Sequence, residues 1–385
     1  MSRVPPAAPA PEDPAETLAR LRLARTEGIG PLTYRRLLAR HGTADAAMAA
    51  LPAYAARRGS AFAPPPEDAA RREMEALARL GGRFVFVGAP DYPPLLDLAE
   101  DAPPALAVLG DPAALAGRAV ALVGARNASA AGRRIAEELA EALARAGLVV
   151  VSGLARGVDA AAHLGALRAE GGRTVAAVAG GLDQPYPPEH AALQARIAAE
   201  GGAVVAEAPL GTAPQARHFP RRNRIVAGRC LGVVVVEAAL RSGSLITARL
   251  RLEAGRELFA VPGSPLDPRC RGSNDLIRQG AHLTETAEDV LAHLPEAPHD
   301  VPLFAPARAA PVAPDDPEEA PGTPAEPGDA ASQVLELLGT TPIAVDELVR
   351  RCHLPASAVQ AILLDLELAG RVEMLPGGRV ALTGG

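Results

Sequence analysis

Between residues 119 and 255 the chain three times drives a short β-branched apolar run into a glycine-bearing polar turn that opens a helix. The runs are Ala119–Gly124, Leu148–Gly153 and Leu231–Glu237, and each is followed by a stretch of helical periodicity. Further runs at Arg83–Val87, Ala105–Leu109, Arg173–Ala179, Gly202–Glu207 and Glu257–Val261 read as strands. Stretches such as Arg133–Ala146 and Pro188–Glu200 read as helices between them. Runs that stay apolar without alternation suit strands buried on both faces, so the pattern predicts an α/β fold with a doubly wound, mostly parallel sheet. Before it, Glu16–Leu80 reads as small helices with a turn at Gly28-Ile29-Gly30-Pro31. After it, the ten prolines of Pro295–Pro327 mark an extended linker. The last segment reads as three helices and the hairpin RVEML-PGG-RVALT, a winged-helix pattern. The expected divisions are a disordered 1–14, a helical 15–80, a Rossmann-type 83–293, a linker 294–330 and a winged helix 331–385.

Composition narrows the chemistry. The net charge of −6 over 385 residues means that any nucleic-acid surface must be a local patch. All 39 basic residues are arginine. The absence of lysine excludes a G-x-x-x-x-G-K-[ST] phosphate loop and Schiff-base catalysis. It also makes every cationic side chain a planar guanidinium able to grip phosphate with two donors. Cys230, Cys270 and Cys352 lie far apart, without metal or disulfide spacing. No apolar run is long enough to span a membrane and no signal peptide is evident, so a cytoplasmic protein without metal or cofactor is expected.

The three junctions are candidate anion sites, because helix N-termini carry unpaired N–H groups and the positive end of the macrodipole. The first offers Gly124 and Arg126. It lacks the G-x-G-x-x-G spacing and the later acid of a dinucleotide site, and Arg126 favours phosphate. The second, SGLARG, offers Ser152, Gly153, Arg156 and Gly157, followed by Asp159 and His163 at helical spacing. That pair reads either as an acid/base couple or, preferably, as a helix-start aspartate orienting a structural histidine. The third offers Ser242, Gly243 and Ser244. Between the second and third, RHFPRRNR places Arg221, Arg222, Asn223 and Arg224 beside Phe219, with no acid from Arg217 to Arg224. Phosphate grips and an aromatic together suit single-stranded nucleic acid, whose bases stack without sequence preference.

The motifs VALVGARNASAAGRR, VVSGLARGVDAAAH, GGLDQPYPPEH, HFPRRNRIVAG, VVVVEAALRSGSLITARLRLEAGRELFAVPG and RGSNDLIRQGA occur in that order, from about Asp91 to Leu283. Together they closely resemble the DprA/Smf DNA-processing family. The resemblance implies an extended Rossmann domain that binds and protects single-stranded DNA during natural transformation and loads the recombinase RecA. It implies a homodimer rather than an enzyme. By the same resemblance the family's phosphate-pocket arginine corresponds to Arg126, its SGLARG turn to Ser152–Gly157 and its FPRRNR segment to Phe219–Arg224. Ala125 stands where serine is common, one hydroxyl donor fewer. The alternative is a phosphoribohydrolase-like enzyme on a related nucleotide-binding fold. Those enzymes carry a P-G-G-x-G-T loop and a following glutamate, and RSGSLIT has neither. GIGPLTYRRLL resembles a helix-hairpin-helix or SAM-like turn, with a small interaction domain as the other reading. The candidate recognition helix at 356–369 carries Asp365 and Glu367 and no arginine, so the tail is expected to contact protein rather than duplex DNA.

Overall fold

The computed structural model describes residues 13–58, 62–240, 242–245, 247–248 and 256–295, and in the tail residues 343–344, 359, 362–363, 366, 372–375 and 379–382. The proline-rich linker, the first two tail helices, most of 356–369 and Arg241 lie outside the described residues. The chain forms two units, Met1–Pro311 and Val312–Gly385.

The first unit opens with four helices, α1 (Pro14–Ala24), α2 (Pro31–His41), α3 (Ala44–Arg58) and α4 (Glu67–Arg79). The α1–α2 turn needs Gly28 at φ +83°, and Pro31 at the first position of α2 supplies a pre-set φ. Nine strands follow, β1 (Gly82–Phe86), β2 (Ala105–Gly110), β3 (Ala119–Val123), β4 (Val149–Ser152), β5 (Arg173–Val178), β6 (Ala203–Ala206), β7 (Gly232–Val235), β8 (Glu257–Ala260) and β9 (His282–Leu283). They form one sheet in the order β1-β2-β6-β5-β4-β3-β7-β8-β9. From β6 to β9 every pairing is parallel, whereas β1–β2 and β2–β6 are antiparallel. The mostly parallel Rossmann-type sheet expected from the apolar runs is therefore present, with an antiparallel edge.

Alternate strand residues pack on the two faces of the sheet. Ala119, Ala121 and Val123 of β3 pack on one face with Val149 and Val151 of β4 and with Leu23, Ile29, Tyr34 and Leu37 of the helical region. Val120 and Leu122 pack on the other face, against α6 (Ala130–Arg145) and α7 (Val158–Arg168), while the short α5 (Pro94–Asp97) precedes β2 and α8 (Ala191–Ala199) precedes β6. Burial on both faces is why these strands show no polar alternation. Strand order runs from β3 outward to β6 and then returns to place β7 on the other side of β3. The carboxyl ends of β3 and β7 thus flank a topological switch point, where open α/β sheets take their ligands.

The second unit contains an antiparallel three-stranded sheet, Ile343–Ala344 pairing Arg379–Leu382, which pairs Val372–Leu375. The pair of Val372–Leu375 and Arg379–Leu382 is the hairpin read from the tail's sequence, and Ile343–Ala344 adds a third strand that the sequence reading did not anticipate.

Helix α9 (His218–Arg229) ends in a cation that the sheet core encloses. Arg229 is 2% exposed and donates to the Ala114 carbonyl, and its Nε and Nη1 have no partner among the described residues. Burial drives its pKa down to about 10. A buried guanidinium with one hydrogen bond and no ion pair among the described residues opposes folding, so Arg229→Met, which keeps the volume, should raise stability by about 1 kcal/mol or more. Arg229→Ala should lower it by about 2–5 kcal/mol by leaving a cavity. Urea melts of both variants check this, and an equal loss in both would contradict it.

Candidate nucleic-acid interface

The first two junctions are locked together at the sheet's edge. Val158 N donates to Ala125 O at 3.2 Å, and a Cβ on Gly157 would stand 2.2 Å from that same oxygen. With φ +76°, Gly157 is a position that any other residue would strain. The stitch fixes the loop that carries Arg126 against the loop that carries Arg156.

The anion nests that the sequence suggests are in fact largely filled from within. At the first junction Glu237, at the end of β7, accepts Ser129 N at 2.9 Å and Ser129 Oγ at 2.5 Å. Ser129 in turn caps α6 through Gly132 N, and a side chain on Gly132 would strike the Glu237 carboxylate. An internal carboxylate therefore already meets the positive helix end. At the second junction Asp159 Oδ2 accepts Gly153 N at 3.1 Å and Ala155 N at 3.4 Å. Sequence spacing identifies the glycines and helix starts but not the carboxylates that fold back onto them. The third junction differs. Ser242 Oγ and Ser244 Oγ share a hydrogen bond of 2.7 Å, and Gly243 is exposed with open space at its Cβ position.

The RHFPRRNR segment is not a continuous basic strip, because it begins α9 and helical spacing sorts it onto two faces. Arg221 and Arg224 face Glu207, whose Oε1 lies 3.4 Å from Arg221 Nη2 and 2.5 Å from Arg224 Nη2. Arg224 also reaches Asp101 at 3.8 Å. Phe219, Arg222 and Asn223 instead line a cleft of about 830 Å³ at the switch point. The Phe219 ring carries the Arg126 guanidinium 4.9 Å from its centroid and meets Tyr186 edge-on at 5.8 Å.

Arg222 sits at the base of this cleft. It is 7% exposed, and its Nη1 lies 4.0 Å from Asp159 Oδ2. Its guanidinium presses so closely on Gly153 that a Cβ there would fall 1.3 Å from Nη1. Its Nε is buried with no partner among the described residues. Burial lowers the Arg222 pKa and raises that of Asp159, each opposed by the attraction of the other. An arginine remains charged under such shifts, so the cleft holds a cation whose donors are incompletely used.

The cleft thus gathers Gly124, Arg126, Phe219, Arg222, Asn223, Ser242, Gly243 and Ser244 from the residues singled out in the sequence. Gly153 supports it from beneath. Ser152 does not line it, since its Oγ donates to Leu122 O at 2.6 Å inside the sheet. Arg156 and Gly157 border an adjoining groove, and Arg221 and Arg224 lie on the opposite side of α9. Among the lining residues that sequence reasoning did not single out are Tyr186 and Arg269, the latter paired with Asp267 at 2.7 Å. The signal for Tyr186 was an aromatic between prolines in a loop, where no core position requires one. Arg269 follows Asp267-Pro268 at a helix start and carried no such signal.

Asp159 and His163 are not partners. His163 is fully buried, and its Nδ1 lies 2.7 Å from Thr174 Oγ1, which itself donates to Val150 O. The threonine proton being committed, Nδ1–H must be the donor. Nε2 is buried without a partner among the described residues. Burial, with Arg222 nearby, pushes the imidazole down to about 3. Below its ordinary pKa of about 6.5 the unfolded chain binds a proton that the folded chain refuses, so this contribution to stability is lost as pH falls. Lowering the pH from 7.5 to 5.0 should remove about 2 kcal/mol through this residue. The raised pKa of Asp159 works in the opposite direction and is common to wild type and variant. His163→Gln should flatten the profile in urea melts over this range, and an unchanged slope would contradict the assignment.

The chain matches the family described as DNA recombination-mediator protein A over residues 83–295. A DprA-like N-terminal HHH domain matches residues 14–76, and a DprA winged helix domain matches 306–378. It is 42% identical to Protein Smf of Escherichia coli over 76% of this chain and 75% of that one. It is 41% identical to the DNA processing protein DprA of Bacillus subtilis over 58% of this chain and 75% of that one. The X-ray structure of DNA processing protein A from Streptococcus pneumoniae superposes with a TM-score of 0.56 at 39% identity, covering 60% of this chain and 80% of that one. With a family match over more than half its length and these relatives, the chain belongs to the DprA/Smf family of DNA recombination mediators.

Proposed function

We propose that the cleft binds single-stranded DNA, with phosphates on Arg126, Arg222 and Arg269 and a base on the Phe219–Tyr186 shelf. The observation that carries this reading is a buried arginine whose Nε has no partner among the described residues, beside the half-buried Phe219 ring, at the switch point of the sheet. Three arginines line the cleft against one carboxylate, Asp159, in a protein of net negative charge. Magnitudes favour a base on the shelf. An exposed cation–π contact such as Arg126 on Phe219 is worth about 0.5–1 kcal/mol. Base stacking on an aromatic is worth about 1–3 kcal/mol, so a base displaces the guanidinium and frees it for the neighbouring phosphate. Gly124, Asn223, Ser242, Gly243 and Ser244 complete the contact surface, and Gly153 carries Arg222.

Membership in a family of DNA recombination mediators supports a role for this binding in recombination. The protein protects incoming single strands and loads the RecA recombinase onto them as a cytoplasmic homodimer, with the helical 15–80, Rossmann-type 83–293 and winged-helix 331–385 segments as separate domains. We assign it no catalytic step. Glu237, the carboxylate that precedes the third junction in the sequence, is engaged by Ser129.

Two substitutions separate the two halves of the reading. Binding to oligothymidine should weaken with salt by about 0.7 log units per neutralised phosphate per log unit of salt. Arg126→Ala should reduce that slope by about one such step. Phe219→Ala should cost about 1–3 kcal/mol with the slope unchanged. Fluorescence anisotropy at several salt concentrations measures both. Preference for duplex, or indifference to both substitutions, would contradict the reading.

A further inference from the structure

Beside the cleft lies a second groove of about 610 Å³, bordered by Arg126, Asn127, Arg133, Glu137, Arg156 and His190. Arg126 and Asn127 line both spaces, so the loop after β3 is the wall they share. The stitch between Gly157, Val158 and Ala125 holds Arg156 on the neighbouring loop. Each space falls within the roughly 300–1,000 Å³ that takes one drug-sized molecule, which is on the order of one nucleotide.

The groove's charges are unevenly committed. Glu137 is taken by Arg168 at 2.6 Å. Arg133 is exposed and has no ion-pair partner among the described residues. Arg156 is closed by Glu189 in an ion pair whose side chains are 64% and 48% exposed. So exposed a pair is worth about 0–1 kcal/mol. A phosphate can offer the same guanidinium two acceptors and release counterions as it binds.

We propose that the single strand passes from the cleft over Arg126 into this groove, where a phosphate displaces Glu189 from Arg156 and the next reaches Arg133. This rests on the single-strand reading of the cleft and extends its track. Glu189 acts as an internal competitor: it neutralises Arg156 in the free protein and gives way along the strand.

Removing the negative Glu189 side chain should therefore tighten binding only when the strand is long enough to reach it. The test uses the full chain with oligothymidines of about 4 and about 16 nucleotides, the two ends of the usual range for single-strand sites. Glu189→Gln should tighten binding of the longer strand by up to about fivefold. It should also steepen the salt slope by about 0.7 and leave the shorter strand unchanged. Arg133→Ala should weaken the longer strand alone, and adding Arg156→Ala to Glu189→Gln should abolish the gain. Unchanged or weaker binding of the longer strand by Glu189→Gln overturns the proposal while leaving the cleft reading intact. If the wild-type chain binds neither strand, the cleft reading fails and the proposal with it.

Discussion

The contact on which the site depends is the seat of Arg222 on the backbone of Gly153. A guanidinium pressed onto a glycine, 4.0 Å from a buried carboxylate, is held where solvent cannot screen it fully. Three elements meet there. The turn after β4 supplies Gly153, α7 supplies Asp159, and α9 supplies Arg222. Asp159 ties them by accepting the turn's amides while facing the arginine. Removing one member of a buried pair costs about 3–5 kcal/mol because the other charge is left alone. The arrangement is therefore both a fixed point of the fold and the floor of the cleft.

The same economy explains how the strand-glycine-helix junctions work. A helix start near a glycine turn is commonly a place for a bound phosphate. In this chain Glu237 and Asp159 occupy much of that role at the first two junctions. Positive charge for a ligand then comes from guanidiniums at the rim and base of the cleft. Being all arginine, these are never neutralised by a shifted pKa and can each meet a phosphate with two donors.

The fold was legible in the sequence because burial on both faces writes itself as continuous apolar runs. Val149–Ser152 and Gly232–Val235 appear as strands for that reason, and the hairpin of the tail appears through its turn glycines. The antiparallel pairing of β1 and β2 was not legible, since apolar runs do not state direction. At the site, Arg126, Phe219 and Arg222 could be named from residue type and spacing. Their sorting could not, because it depends on His218–Arg229 being helical, which turns Arg221 and Arg224 toward Glu207. Nor could the engagement of Ser152 with Leu122 O, or the separation of His163 from Asp159. Each is a long-range contact with no local signature.

Gly153→Ala isolates the central contact most directly, because it leaves every charge in place and changes only where Arg222 can sit. The new methyl group must push the guanidinium off its seat, and a flexible side-chain end can yield without unfolding the chain. Affinity for oligothymidine, measured on protein whose melting transition shows it to be folded, should fall about tenfold or more, the loss of one charge-assisted contact. Unchanged affinity in a folded Gly153→Ala variant would contradict the account, since the cleft would then work without its floor.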